Sequence, residues 1–217
     1  MAKAQKDWQR EWTRKDLEKV NGFLWPSHAA KYQERYTKHA PDMAEAIKFC
    51  DQTRQVIQAG GNCGVWARWL ADKFDAIYTF EPDGMNFFCL SYNCPHPNIF
   101  KMQAALDEEP GPVALNYHNN NIGAHNLIGP GSIPAITIDS LGLEALDLLV
   151  LDVEGWEWPA LRGATETLRK CKPVLQLEHR GHGEKLGHGS EEDMVAWLDE
   201  EFGYELAAKV AKDIILI

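Results

Sequence analysis

From residue 55 onward, short apolar runs alternate with stretches of helical period. Gln55–Ala59 is such a run and ends in Gly60-Gly61; Val65–Phe74 then carries helical spacing. Ala76–Phe80 predicts a second strand, followed by a helix to about Tyr92, and Asn98–Met102 predicts a third. Val113–Tyr117 and Ala135–Ile138 are shorter strand candidates flanking the Asn-rich loop His118–Asn126. Asp147–Val153 is nearly all apolar, as expected of a central strand covered on both faces. Trp156–Lys170 reads as one helix, with Pro159 in the first turn, where a missing N–H is tolerated. Pro173–Glu178 is the next strand, Glu191–Phe202 a helix, and Tyr204–Ala208 with Asp213–Ile217 a closing hairpin. Repeated βα units of this kind predict an α/β fold with a doubly wound, mostly parallel sheet.

The first fifty residues follow another rule. Trp8, Trp12, Lys15 and Lys19 keep helical spacing, as do Met43, Ile47 and Cys50, while Asn21-Gly22 and Trp25-Pro26 interrupt it. Residues 1–50 are therefore expected to be a helical segment anchored by Trp8, Trp12 and Trp25 on a domain spanning 51–217. Charge divides the same way. Residues 1–50 hold 10 Lys and Arg against 7 Asp and Glu, whereas the remainder is strongly acidic and the whole chain carries −10. Such a body repels a phosphate backbone, so no nucleic-acid partner is expected. No apolar run approaches the roughly 20 residues that span a bilayer, and the N-terminus has no apolar signal region. Five scattered cysteines argue for a reducing, cytoplasmic setting rather than a disulfide scaffold.

Ligands of doubly wound sheets bind beyond the carboxyl ends of the strands, where strand order reverses. There the chain reads Gln58-Ala59-Gly60-Gly61-Asn62-Cys63-Gly64, with Glu81 following the second strand. Glycines admit close backbone approach, and an acid in that place accepts ribose hydroxyls, so the pair points to an adenosine-containing cofactor. Asp152 and Glu154 lie two apart where the fourth strand runs out, which predicts two carboxylates on one face. Beyond the fifth strand comes Glu178-His179-Arg180-Gly181-His182-Gly183-Glu184, with His188 after it. Its spacing fits no standard metal motif, and no metal is expected. Cys89, Cys94 and His96 resemble ligands but read as structural, and His118–Asn121 with His125-Asn126 suits a hydroxylated substrate.

Ile138-Asp139, Asp152-Val153-Glu154-Gly155-Trp156-Glu157, Leu161-Arg162-Gly163-Ala164 and Lys172-Pro173-Val174 together closely resemble the FkbM-type family of S-adenosylmethionine-dependent methyltransferases. The glycine loop, Phe80-Glu81-Pro82 and Ala104-Ala105-Leu106 agree, and the resemblance covers roughly residues 55–217. It implies a seven-stranded class I methyltransferase fold with the last strand antiparallel, S-adenosylmethionine as cofactor, and methyl transfer to a hydroxyl of a small polyhydroxylated acceptor. By the same resemblance, Gly60, Asn62 and Gly64 hold the methionine part of the cofactor, with Gln58 beside them where the family usually has an acid. Glu81 holds the ribose, the backbone around Gln103-Ala104 faces the adenine, and Asp152 closes the site near the donor.

Methyl transfer to an alcohol calls for a base within hydrogen-bond reach of the acceptor. Asp152, Glu154, Glu178 and His179 frame the methyl position from the fourth and fifth strand ends, with Glu154 or His179 expected as base and Glu178 in support. The glycine loop and Glu81 alone also permit a nicotinamide-dependent oxidoreductase, and Gln58 permits a binding module without catalysis.

Overall fold

The computed structural model describes residues 12–118 and 121–217. A β-hairpin opens it, β1 (Leu17–Val20) paired antiparallel with β2 (Phe23–Pro26). Helical spacing predicted otherwise here. The deciding residues are Asn21 and Gly22, both at positive φ (49° and 81°), the pair that a tight hairpin turn demands. A 3₁₀ segment (Ser27–Tyr32), α1 (Gln33–His39), a second 3₁₀ turn and α2 (Ala44–Ile47) follow. Trp25 is fully buried with its indole N–H on the Ala29 carbonyl at 3.0 Å, and Trp12 packs on Phe88; Trp8 lies outside the described residues.

The main sheet starts with β3 (Gln55–Ala59), α3 (Val65–Leu70), β4 (Ala76–Phe80), α4 (Gly84–Asn93) and β5 (Ile99–Met102). The chain then leaves it to form a side sheet of β6 (Ala105–Leu106), β7 (Gly111–Asn116) and β8 (Asn126–Ile136). The last two outgrow the expected strands. Gly129, Pro130, Gly131 and Pro134 look like breakers, yet register shifts opposite Val113 let β8 carry them. The main sheet resumes with β9 (Leu148–Leu151), α5 (Glu157–Arg162), α6 (Thr165–Cys171), β10 (Val174–Glu178), α7 (His182–Leu186), α8 (Glu191–Phe202), β11 (Leu206–Val210) and β12 (Asp213–Leu216).

Its order is β11-β12-β10-β9-β3-β4-β5, and β12 alone runs against the other six. Strand order reverses between β3 and β9. Strand alternation splits the core in two. Ile57, Leu149, Leu151, Leu175 and Leu177 pack with residues of α5, α6 and α8 such as Ala160, Leu168 and Leu198. Val56, Leu148, Val150 and Val174 pack with Met43, Ala46, Ala67 and Leu70 on the other face. β9 is therefore buried on both sides, and truncating Leu149 to Ala costs about 2–5 kcal/mol.

The helix expected over 156–170 is broken at Gly163-Ala164. A Cβ at Gly163 would stand 2.1 Å from the Asp107 carbonyl oxygen, so glycine lets the side sheet touch this face. Asp139 caps α6, accepting from the N–H groups of Glu166 (3.0 Å) and Thr167 (2.8 Å) and from the Thr167 hydroxyl (2.7 Å). At the amino ends of β3 and β9, remote from these turns, Asp147 accepts from the backbone of Arg54 (2.7 Å) and Gln55 (3.0 Å) and pairs with the Arg54 guanidinium at 2.6 Å. Among the described residues no helix is long and apolar enough to cross a membrane.

Candidate functional site

A cavity of about 360 Å³ opens at the carboxyl ends of β3 and β9. One end is built by the turn after β3. Gly60 (φ 81°) lies so close to β9 that a Cβ there would meet the Asp152 carbonyl oxygen at 1.9 Å. Its N–H and that of Gly61 donate to the Phe80 carbonyl at 3.2 and 2.8 Å, tying the turn to β4. Asn62 lines the cavity at positive φ, its side-chain oxygen accepting from the Cys63 N–H at 2.7 Å.

Glu81 faces this turn from the end of β4, only 6% exposed. Its two oxygens accept from the backbone N–H groups of Asn62 (2.6 Å) and Asp83 (2.8 Å). Each oxygen keeps a lone pair for a further donor, such as a hydroxyl. Burial, then the neighbouring Asp83 charge, pushes its pKa up to about 8 against the pull of those N–H groups. Ala104, Ala105 and Leu106 supply an apolar wall. Glycine turn, buried acid and apolar wall fit an adenosine-containing cofactor.

The other end is acidic. Asp152 and Glu154 both line the cavity, although not through strand parity: β9 stops at Leu151 and Glu154 takes a left-handed turn (φ 54°). Glu157 sustains that turn, one carboxylate oxygen accepting from the N–H groups of Val153 (3.0 Å) and Gly155 (3.3 Å). Burial, then Asp152, raises the Glu154 pKa to about 7, and burial also raises Asp152 above the usual carboxylate range.

The sequence profile of the methyltransferase FkbM domain matches residues 58–206. The chain belongs to the FkbM methyltransferase family. That family takes its methyl group from S-adenosylmethionine. An FkbM methyltransferase from Methylobacillus flagellatus KT shares the fold with a TM-score of 0.54 at 17% identity, covering 76% of this chain and 44% of that one. The chain thus spans less than half of that relative's length. A SAM-dependent methyltransferase from Aquifex aeolicus gives TM-score 0.47 at 12% identity, covering 86% of this chain and 95% of that one. A magnesium protoporphyrin IX methyltransferase from Synechocystis PCC 6803 with bound SAH gives 0.47 at 11%, covering 88% and 84%. Among curated proteins none matches the chain.

Gly60, Asn62, Glu81, Ala104, Asp152 and Glu154 meet at this cavity; the other expected residues do not. Gln58 is fully buried beneath it, its amide donating to the carbonyls of Ala59 (3.2 Å) and Gly60 (3.1 Å) and accepting from the Thr79 hydroxyl at 2.8 Å. Gly64 is withdrawn behind the turn, where a Cβ would meet the Cys94 sulfur at 2.7 Å. Gln103 is turned towards Gly84 rather than into the cavity. His179 pairs with Glu191 at 2.9 Å outside the cavity wall, which removes it from the acceptor's reach. Glu178 is 3% exposed under the site, with the Arg180 guanidinium 2.7 Å from Oε1; burial and the carboxylates of Asp152, Glu154 and Glu157 push its pKa up. Cys94 donates to the Gly64 carbonyl at 3.2 Å, so that cysteine is structural.

Several wall residues carried no local signal in the sequence. Tyr32, Arg35, Tyr36 and His39 come from the N-terminal segment, and Lys212 and Asp213 from the β11–β12 turn. Asn121 and His125 come from the Asn-rich loop, which the sequence did mark as suiting a hydroxylated substrate, and Ile122 and Gly123 lie beside them. The Tyr36 hydroxyl sits so close to Gly123 that a Cβ there would be 2.1 Å away, and burial beside Asp152 and Glu154 raises its pKa. Only tertiary folding brings these side chains to one mouth.

Proposed function

We propose that this chain transfers a methyl group from S-adenosylmethionine to a hydroxyl of a small polyhydroxylated acceptor. The observation that carries this reading is the continuity of one cavity from Glu81, through Gly60, to the Asp152–Glu154 pair under the polar roof of Tyr36, Asn121 and His125. Gly60, Asn62 and the Ala104 wall would hold the cofactor's methionine and adenine ends, and Glu81 would accept from its ribose. When bound, the cofactor supplies a sulfonium methyl that is already a good electrophile.

The protein's task is then to align the acceptor and take its proton. Glu154 suits the second role. It lines the acceptor half of the cavity, and a pKa of about 7 lets it stand ionised yet accept a proton near neutral pH. Asp152 sits between it and the glycine turn, where its charge favours the positive donor. The family makes the nicotinamide reading unnecessary, while a binding module without catalysis predicts no turnover at all.

Glu154→Gln tests the assignment. S-adenosylmethionine affinity should stay at the parent value, while S-adenosylhomocysteine release across a panel of sugars, glycosides and polyols should fall about a hundredfold. Undiminished turnover in the variant removes Glu154 from the base's role.

A further inference from the structure

We infer that Glu154, Glu178 and His182 form a binding site for a divalent first-row cation such as Mn²⁺ on the acceptor side of the cavity. One ligand atom of each lies within 4.8 Å of the other two. His182 Nδ1 is 3.1 Å from Glu154 Oε2 and 3.9 Å from Glu178 Oε2. Ligands about 2.2 Å from an octahedral ion stand about 3 Å apart as neighbours and about 4.4 Å apart as opposites. Both separations fit one shared ion.

Glu178 supplies the independent sign. Its side chain is 2% exposed, and neither carboxylate oxygen accepts a hydrogen bond. Buried carboxylates of this kind are paired or ligate a metal. Arg180 Nε stands 2.7 Å from Oε1 and balances one charge there, yet Asp152 and Glu154 bring two more carboxylates beside Glu178. Oε2 is left on the His182 side. The His182 nitrogen meets Glu154 without the alignment of a hydrogen bond, which two ligands of a common ion do not need.

The three ligands come from the turn after β9, the end of β10 and the first residue of α7. Backbone packing joins them. A Cβ at Gly155 would stand 2.8 Å from the His182 carbonyl carbon and 2.9 Å from the Gly183 nitrogen, so the start of α7 is pressed against the turn that carries Glu154. This dispersal over three elements is why spacing along the chain predicts no metal.

One imidazole nitrogen with two carboxylate oxygens is a mixed set, softer than the all-oxygen sites of Mg²⁺ and Ca²⁺ and suited to Mn²⁺ or Fe²⁺. Glu154 lines the cavity and the His182 side chain is one-third exposed, so an ion there is open to the cavity. Its remaining positions suit neighbouring hydroxyls of a polyhydroxylated acceptor, a use that rests on the function proposed above. Glu154 Oε1 stays outside the ligand set and available for the acceptor's proton.

The test titrates Mn²⁺ into the chelator-treated full chain, with free ion counted by electron paramagnetic resonance. One saturable site is expected, its pulsed spectra showing ¹⁴N coupling from the His182 ring. His182→Gln should abolish that coupling and weaken Mn²⁺ about tenfold or more, and Glu178→Gln should weaken it as much. His182 is partly exposed, so its variant keeps the test open should Glu178→Gln fail to fold. No saturable site, a parent spectrum without ¹⁴N coupling, or unchanged affinity in His182→Gln overturns the cation site. Neither residue is the proposed base, and Mn²⁺ binding is read without an acceptor. Bound Mn²⁺ with turnover indifferent to chelator therefore overturns the acceptor's use of the ion, whereas methyl transfer to no acceptor, with or without Mn²⁺, strikes the proposed function and leaves the site standing.

Discussion

The two ends of the cavity are built on different plans. The cofactor end is made by contiguous pieces of chain at adjacent strand ends: a turn, an acid one strand over, and an apolar wall. The acceptor end is assembled from α1, the Asn-rich loop, the β9 turn and the β11–β12 turn, which meet only because the sheet brings them together. The first plan is rigid, since backbone contacts and buried hydrogen bonds fix nearly every atom. The second depends on side chains reaching from separate elements.

Gly60→Ala should have the largest effect, because it strikes the place where the two ends share a wall. Its Cβ falls 1.9 Å from the Asp152 carbonyl, in a left-handed backbone. A cost of about 3 kcal/mol or more is expected, seen as a lower melting temperature together with lost S-adenosylmethionine binding. A stable variant that binds the cofactor normally would show that the ends are not joined there.

Glu81→Ala should weaken S-adenosylmethionine by about 1–3 kcal/mol through the loss of its hydrogen bonds to the ribose, measured by titration calorimetry. Parental affinity would dissolve the distinction at its cofactor end. Glu81 also sets a pH dependence. Its folded pKa of about 8 lies above the ordinary carboxyl value of 4.5, so the stabilisation present below 4.5 is lost as pH rises towards 8. Glu157, raised to about 8 chiefly by burial, acts in the same direction. The cofactor-free protein should therefore melt at a lower temperature at pH 8 than at pH 5, and Glu81→Gln should flatten the slope. A slope unchanged in that variant would assign it to other groups.

Tyr36→Phe should have the smallest effect and a confined one. Removing a single hydroxyl is expected to raise acceptor KM about 3- to 10-fold and leave S-adenosylmethionine affinity alone. If cofactor affinity fell with it, the N-terminal segment would belong to both ends.

The same division explains what the sequence made legible. Turn, acid and the Asp152–Glu154 stretch are local patterns, and the alternation of strands and helices fixed the layers. Even there, Gln58 and Gly64 stand behind the cavity wall, because a spacing names neighbours without saying which of them reach the cavity. Glu154 reached the cavity by a left-handed turn rather than by strand parity, and His179 was drawn away by Glu191 on α8. Asn21-Gly22 was visible as a break, yet it is a hairpin turn; the flanking Lys19 and Trp25 hid the alternation that would have shown it. Tyr36 and Lys212 had no signal, since what puts them at the site is packing between elements far apart in the chain.

Asp147 holds together the starts of β3 and β9, at the end of these central strands remote from the cavity, through two backbone N–H groups and the Arg54 guanidinium. The strands therefore have one pinned end and one that finishes in turns. The register set at that clamp runs unbroken through four pairs, from Val56 opposite Leu148 to Ala59 opposite Leu151, and so delivers Gly60 against Asp152 at the cavity.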